Sequence, residues 1–195
     1  MFTLQETSHQ VRELREGALD AASLLAPVDD DALAFERVLE IELVVAVPTD
    51  HPLAAWGEVP MRELTGERII LFSRRFHPGC YDYIVGCCRE AGFDPNVAQR
   101  KEPQLYSGAT TYRMVASGAG VAIVARPLVT MFRPVGVVFK PLREPRPMLD
   151  LVVAWRREDP SPNLQALLEV VRELAPIGGG AGASLAPSPG DPAET

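Results

Sequence analysis

The strongest periodicity lies late in the chain. Leu164, Leu167, Leu168, Val171 and Leu174 recur at i, i+3, i+4, i+7 and i+10, which puts them on one stripe of a helix. Ser161 stands where an N-cap is expected and Pro162 at the first helical position, where a missing N–H leaves no helical bond unmade. A second helix is predicted over HQVRELREG, with Ser8 as its cap, Val11 and Leu14 on one face and Gly17 as its stop. Shorter helices are predicted at MRELTG (61–66), from Pro78–Gly79 to Ala91, at YRMVASG (112–118) and at ARPLVTMF (125–132). Between them lie short apolar, β-branched runs: LDAASLLAPV (19–28), IELVVAVP (41–48), RIILF (68–72), GVAIVA (120–125), VGVVFKPL (135–142) and LDLVVAWR (149–156), with a weaker strand at VAQRK (97–101). Runs of this kind are strands buried on both faces. Strands alternating with helices predict an α/β fold with a largely parallel sheet.

Composition narrows the class. The chain has 195 residues, 47% of them hydrophobic, enough for one domain or two small lobes with a core of their own. Asp and Glu outnumber Lys and Arg by 26 to 19, a net charge of −7. Nucleic-acid binding needs cations against phosphates, so the chain by itself is expected not to bind DNA. No apolar run reaches the length of a membrane span, and MFTLQETSHQ lacks the basic and apolar parts of a signal peptide. The three cysteines, Cys80, Cys87 and Cys88, do not form a disulfide framework. A reducing cytoplasm is therefore the expected location. From Gly178 the sequence GGGAGASLAPSPGDPAET has almost nothing to bury, so residues 177–195 are expected to form a disordered tail.

Several segments, in order, resemble the effector-binding domain of LysR-type transcription regulators. They are ETSHQVRELREGALDAA, VVAVPTDHPLA, IILFSRRFHPGCYDYIVGCCREAGF, VASGAGVAIVARPL and LVVAWRREDPSPNLQALLEVVREL, spread from Leu4 to Leu174. The resemblance implies a two-lobed, periplasmic-binding-protein-like (type 2) α/β fold. Lobe one would comprise residues 1–46 and 154–176, and lobe two residues 47–153. A small-molecule effector would bind between the lobes, and the domain would work as a homo-oligomer. The family pattern also includes an N-terminal helix-turn-helix and a first strand and helix of lobe one. The sequence is expected to begin after them, so lobe one would be truncated and DNA would be reached only through a helix-turn-helix outside this chain.

The same resemblance assigns candidate effector contacts. Thr7 matches a contacting position, and its hydroxyl suits a ligand carboxylate; a helix-capping role is the competing reading. Leu25 stands where some members carry an arginine for an acidic effector, and Ala26 and Pro27 follow it along the cleft. Ser73, Arg74 and Arg75 form a basic loop, with Phe76 and His77, ahead of a helix beginning near Gly79 and Cys80. Free N–H groups at a helix start attract anions, and arginine offers a carboxylate a forked donor. The expected ligand is thus a small anionic metabolite.

Cys80, Ile84, Cys87 and Cys88 fall on one helical face and read as core; zinc binding with His77 and redox sensing at Cys80 are the competing readings. No metal, cofactor or catalytic residue is assigned, because no G-x-S-x-G, H-E-x-x-H, P-loop or dinucleotide motif occurs. Two other functions stay open. One is a degenerate or truncated regulator fragment with only an oligomerisation role. The other is a solute-binding protein or small-acid enzyme of the same fold.

Overall fold

The computed structural model describes residues 6–98, 108–126, 134–158 and 161–174. The chain divides into two compact units. One runs to Glu40, takes up Arg75–Cys80 and resumes at Leu149; the other comprises Ile41–Arg74 and Tyr81–Met148. The expected tail at 177–195, most of the helix at 125–132 and the end of the strand at 97–101 lie outside the described residues.

The first unit is a sheet covered on both faces. Helix α1 (Thr7–Glu16) ends at Gly17, whose φ of 75° is the left-handed conformation that lets its N–H turn back to the Leu14 carbonyl. Strand β1 (Ala21–Leu25) pairs antiparallel with β8 (Met148–Arg156), from Ala21 opposite Trp155 to Leu25 opposite Leu151. Side chains alternate between the faces. Ala22, Leu24, Val152 and Ala154 pack with Leu14 and Leu33 on one side. Val153, Ala21 and Trp155 pack with Leu164 and Leu168 on the other. The last two belong to the C-terminal helix, labelled α4 (Pro162–Leu174). Its stripe is narrower than the periodicity predicts: Leu164 and Leu168 are buried, while Leu167 is 44% exposed. Val171, one turn beyond Leu168, packs against the same cluster while partly buried.

The second unit is a mixed sheet. Strand β2 (Leu33–Pro48) contributes its second half, pairing antiparallel with β6 (Val121–Ala125) and β7 (Val137–Arg143). Strand β4 (Arg68–Ile70) lies parallel to β6 and to β5 (Asn96–Val97), and β3 (Val59–Pro60) lies parallel to β7. Helices α2 (Pro78–Glu90) and α3 (Gly108–Ala116) complete the principal elements, with 3-10 turns at Pro52–Ala55 and Met61–Leu64. Ile70, Ala46, Ala122, Tyr112, Val115 and Val137 share one core cluster.

Three expectations need correction. The sheet pairing is mixed, with β1–β8, β2–β6 and β2–β7 antiparallel; apolar runs report burial on both faces, not strand direction. Strand β2 begins at Leu33, well before residue 41. Its first half carries Glu36, Arg37 and Glu40, whose charges are paired across the surface with Arg172 and Asp150 and within the strand. Finally, Ser8 is not the cap of α1. Glu6 occupies that position without a side-chain bond, and Ser8 lies inside the helix.

Candidate functional site

In the first unit, residues 75–80 meet both the start of α1 and the end of β1. The first turn of any α-helix has N–H groups without helical partners. In α1 the His9 and Gln10 amides bond the Glu6 carbonyl, and the Ser8 amide donates to the Phe76 carbonyl at 3.2 Å. The Ser8 hydroxyl donates to the Arg75 carbonyl at 2.8 Å and to the Phe76 carbonyl at 3.1 Å. Thr7 meets His77: its Oγ1 is 2.8 Å and its amide nitrogen 3.4 Å from the imidazole Nδ1. Residues 75–77 thus form a strap tied to α1 through both backbone and side chains.

The strap leads into α2, whose start rests on the end of β1. A Cβ on Gly79 would lie 1.9 Å from the Pro27 carbonyl oxygen, so only glycine allows the two backbones to approach this closely. One residue on, the Cys80 thiol points to the Leu25 carbonyl at 3.5 Å and the Ala26 carbonyl at 3.9 Å. Of the sequence-assigned positions, Thr7, Ala26, Pro27, Arg75, Gly79 and Cys80 are therefore brought together in the first unit.

Ser73 and Arg74 belong to the second unit. Arg74 donates from Nε and Nη2 to the two carboxylate oxygens of Asp82, both at 2.7 Å. That hydrogen bond and the carboxylate's charge push the guanidinium pKa further up. The fork expected to receive a ligand is engaged within the protein. Arg75 is exposed, with its guanidinium carbon 6.0 Å from the centroid of the Phe76 ring.

Electrostatics follow burial. Desolvation pushes the His77 pKa below its ordinary value and the Cys80 thiol up to about 12. Thr7 is only 7% exposed, and its amide can only donate, so Nδ1 acts as the acceptor and the hydroxyl proton is directed to it as well. Thr7 can then meet a ligand only through oxygen lone pairs, and the carboxylate contact expected of it would require that bond to break. Sequence reasoning did not identify the pairing with His77, although His77 was named in the loop. A histidine directly before Pro-Gly at a helix start was the available signal.

Cys87 and Cys88 are buried on α2, as expected of core residues. Burial raises both thiols, Cys88 to about 12. His51 is structural: Nδ1 accepts the Leu53 amide and Nε2 lies 3.3 Å from a Glu67 carboxylate oxygen. The loop carrying Asp29, Asp30 and Asp31 is tied down through Asp30, which accepts the Ala32 amide and lies 3.5 Å from Arg15. A groove of about 420 Å³ on α1 is lined, among the described residues, by Ser8, Val11, Arg12, Arg15 and Glu16, all of one helix. Among the described residues, no helix is long and apolar enough to cross a membrane.

This arrangement places the chain in the α/β class of periplasmic-binding-protein-like (type 2) folds. More particularly, it belongs to the LysR substrate binding domain family, which matches residues 2–176. The transcriptional regulator AlsR of Bacillus subtilis is 26% identical over 168 residues, covering 84% of this chain and 53% of that protein. CatR of Pseudomonas putida is 28% identical over 176 residues, covering 90% and 57%. The chain thus spans about half the length of these relatives, which are transcription regulators. Among solved structures, the C-terminal domain of a probable LysR family regulator from Rhodococcus sp. RHA1 is 27% identical with a TM-score of 0.72, covering 86% of this chain and 81% of that one. The effector binding domain of a BenM variant is 24% identical with a TM-score of 0.75, covering 87% and 77%; this likeness concerns the fold.

Proposed function

We propose that the chain is the small-molecule sensor of a LysR-type transcription regulator, without catalytic activity and without DNA binding of its own. It works in the cytoplasm, as part of a homo-oligomer, and reaches DNA through a separate helix-turn-helix. The observation that carries this reading is the convergence of the α1 start, the β1 end and the 75–80 strap in the first unit. Three segments distant in sequence meet where a helix begins, an arrangement through which a bound molecule can shift a conformational equilibrium.

The proposed effector is a small anion. Arg75 offers an exposed guanidinium, and the start of α2, around Gly79 and Cys80, offers the positive end of a helix dipole. Thr7, Ala26 and Pro27 form the surrounding wall. Ser73 and Arg74 enter the proposal on their sequence positions.

Calorimetry with small carboxylates, phosphates and neutral analogues tests the reading. Anions should bind, and Arg75→Ala should weaken them by about 10- to 100-fold, the range of a charge-assisted hydrogen bond. Binding of neutral analogues alone, or an unchanged affinity in Arg75→Ala, would refute the anion assignment. Turnover of any such compound would favour the enzyme reading instead.

A further inference from the structure

We infer that His77 is the positioning residue of this site: as a neutral Nε2–H imidazole, it latches the 75–80 strap to the first turn of α1 through Thr7. The inference deepens the sensor reading and rests on it for the link to effector binding. The latch itself rests on geometry.

Two donors converge on one nitrogen. Thr7 Oγ1 lies 2.8 Å and the Thr7 amide 3.4 Å from Nδ1. The hydroxyl can turn and become an acceptor; the amide cannot. Nδ1 must therefore present its lone pair, and the ring proton resides on Nε2. The helix start reinforces this choice. Its partial positive charge opposes an imidazolium, and the site around Thr7 is dry, with the residue 7% exposed.

Titratable groups stand on each adjoining segment. Glu6 stands at the N-cap of α1, Arg75 is in the strap, and Cys80 on α2 is a buried thiol. Burial lowers the His77 pKa, which favours the neutral ring.

The latch also replaces a conventional cap. Glu6 makes no side-chain capping bond, so the strap supplies acceptors to the first two amides of α1 from about seventy residues away. Protonation of His77 removes the Nδ1 acceptor and leaves the Ser8 bonds in place. An effector that needs the strap in place then binds more weakly in acid.

Nitrogen-15 NMR of the imidazole in the ligand-free chain tests this directly. The expected result is an Nε2–H tautomer at neutral pH that titrates below an ordinary histidine. An Nδ1–H tautomer or a charged ring at neutral pH would overturn the inference. Variants provide a second reading. Asn places an acceptor near the position of Nδ1, and Gln places one near Nε2. Amide exchange at Thr7 should therefore accelerate about tenfold in His77→Gln and His77→Ala, the effect of one lost hydrogen bond, and be preserved in His77→Asn. Equal acceleration in all three would also overturn it. If His77→Ala fails to fold, the tautomer of the unaltered chain decides. Because these measurements need no ligand, a latch that passes them while no anion binds would separate the failure of the sensor reading from that of the latch.

Discussion

Gly79 and Pro27 are in backbone contact, and a methyl group placed on Gly79 would sit 1.9 Å from the Pro27 carbonyl oxygen and 2.9 Å from its carbon. The obstructing atoms are main chain, so no side-chain rotation relieves the clash. Gly79→Ala should destabilise the protein by about 1–3 kcal/mol, the usual cost of overpacking. Gly86 lies in the same helix with nothing within 4 Å of a Cβ. There the same change should stabilise by up to about 1 kcal/mol through helix propensity. Urea denaturation of the two variants measures both signs; wild-type stability in Gly79→Ala would contradict the contact.

Thiol chemistry provides a second check. Burial pushes Cys80 and Cys88 up to about 12. The reactive species is the thiolate, which at pH 8 is on the order of one molecule in ten thousand at that pKa. Iodoacetamide should label these cysteines orders of magnitude more slowly in the native chain than in urea. Rapid native labelling of Cys80 would revive the redox-sensing reading.

Acid should weaken the protein in two separate windows. His77 has its folded pKa depressed by burial. Its contribution is complete above the ordinary imidazole value near 6.5 and is lost as pH falls through the lower folded value. Glu42 behaves alike in a lower range: burial raises its pKa, but hydrogen bonds and charge from Arg126 and Arg146 outweigh this and leave it lowered. Its contribution is lost below the ordinary carboxylate range. Stability measured against pH should therefore fall first below about 6.5 and again below about 4.5. His77→Asn should remove the upper step while sparing the lower.

Arg156 closes the other end of α1. Its Nη1 donates to the Leu14 carbonyl at 2.9 Å and the Leu19 carbonyl at 2.5 Å, and Nη2 lies 3.2 Å from Asp20. Arg156→Ala should cost about 2–3 kcal/mol, since hydrogen bonds from a charged donor are worth about 1.5–3 kcal/mol. Arg156→Lys should recover little of it, because an ammonium cannot reproduce the fork. Thermal denaturation with hydrogen exchange at Leu14 to Ala18 reports this; full recovery in the lysine variant would show that charge alone suffices.

A net charge of −7 predicts no sequence-specific binding to duplex DNA by this chain at moderate salt. A mobility-shift titration with the purified 195-residue chain tests it. Specific binding at nanomolar concentration would contradict the division of labour proposed above.

The sequence by itself determined what depends on neighbours along the chain. Gly17 marks the end of α1 because one residue with φ of 75° suffices to turn the backbone. IELVVAVP and GVAIVA are legible as strands because their own side chains demand burial. The order of such pieces also carries the family. Tertiary structure alone decided the rest. The charges of Glu36 and Arg37 hid the first half of β2, since their partners Arg172 and Asp150 lie more than a hundred residues away. Only the fold places Asp82 against the Arg74 fork. Likewise, only the fold brings His77 to the Thr7 hydroxyl. A polar side chain announces its bonding capacity in the sequence, but which partner satisfies it is fixed only when distant segments pack and water is excluded.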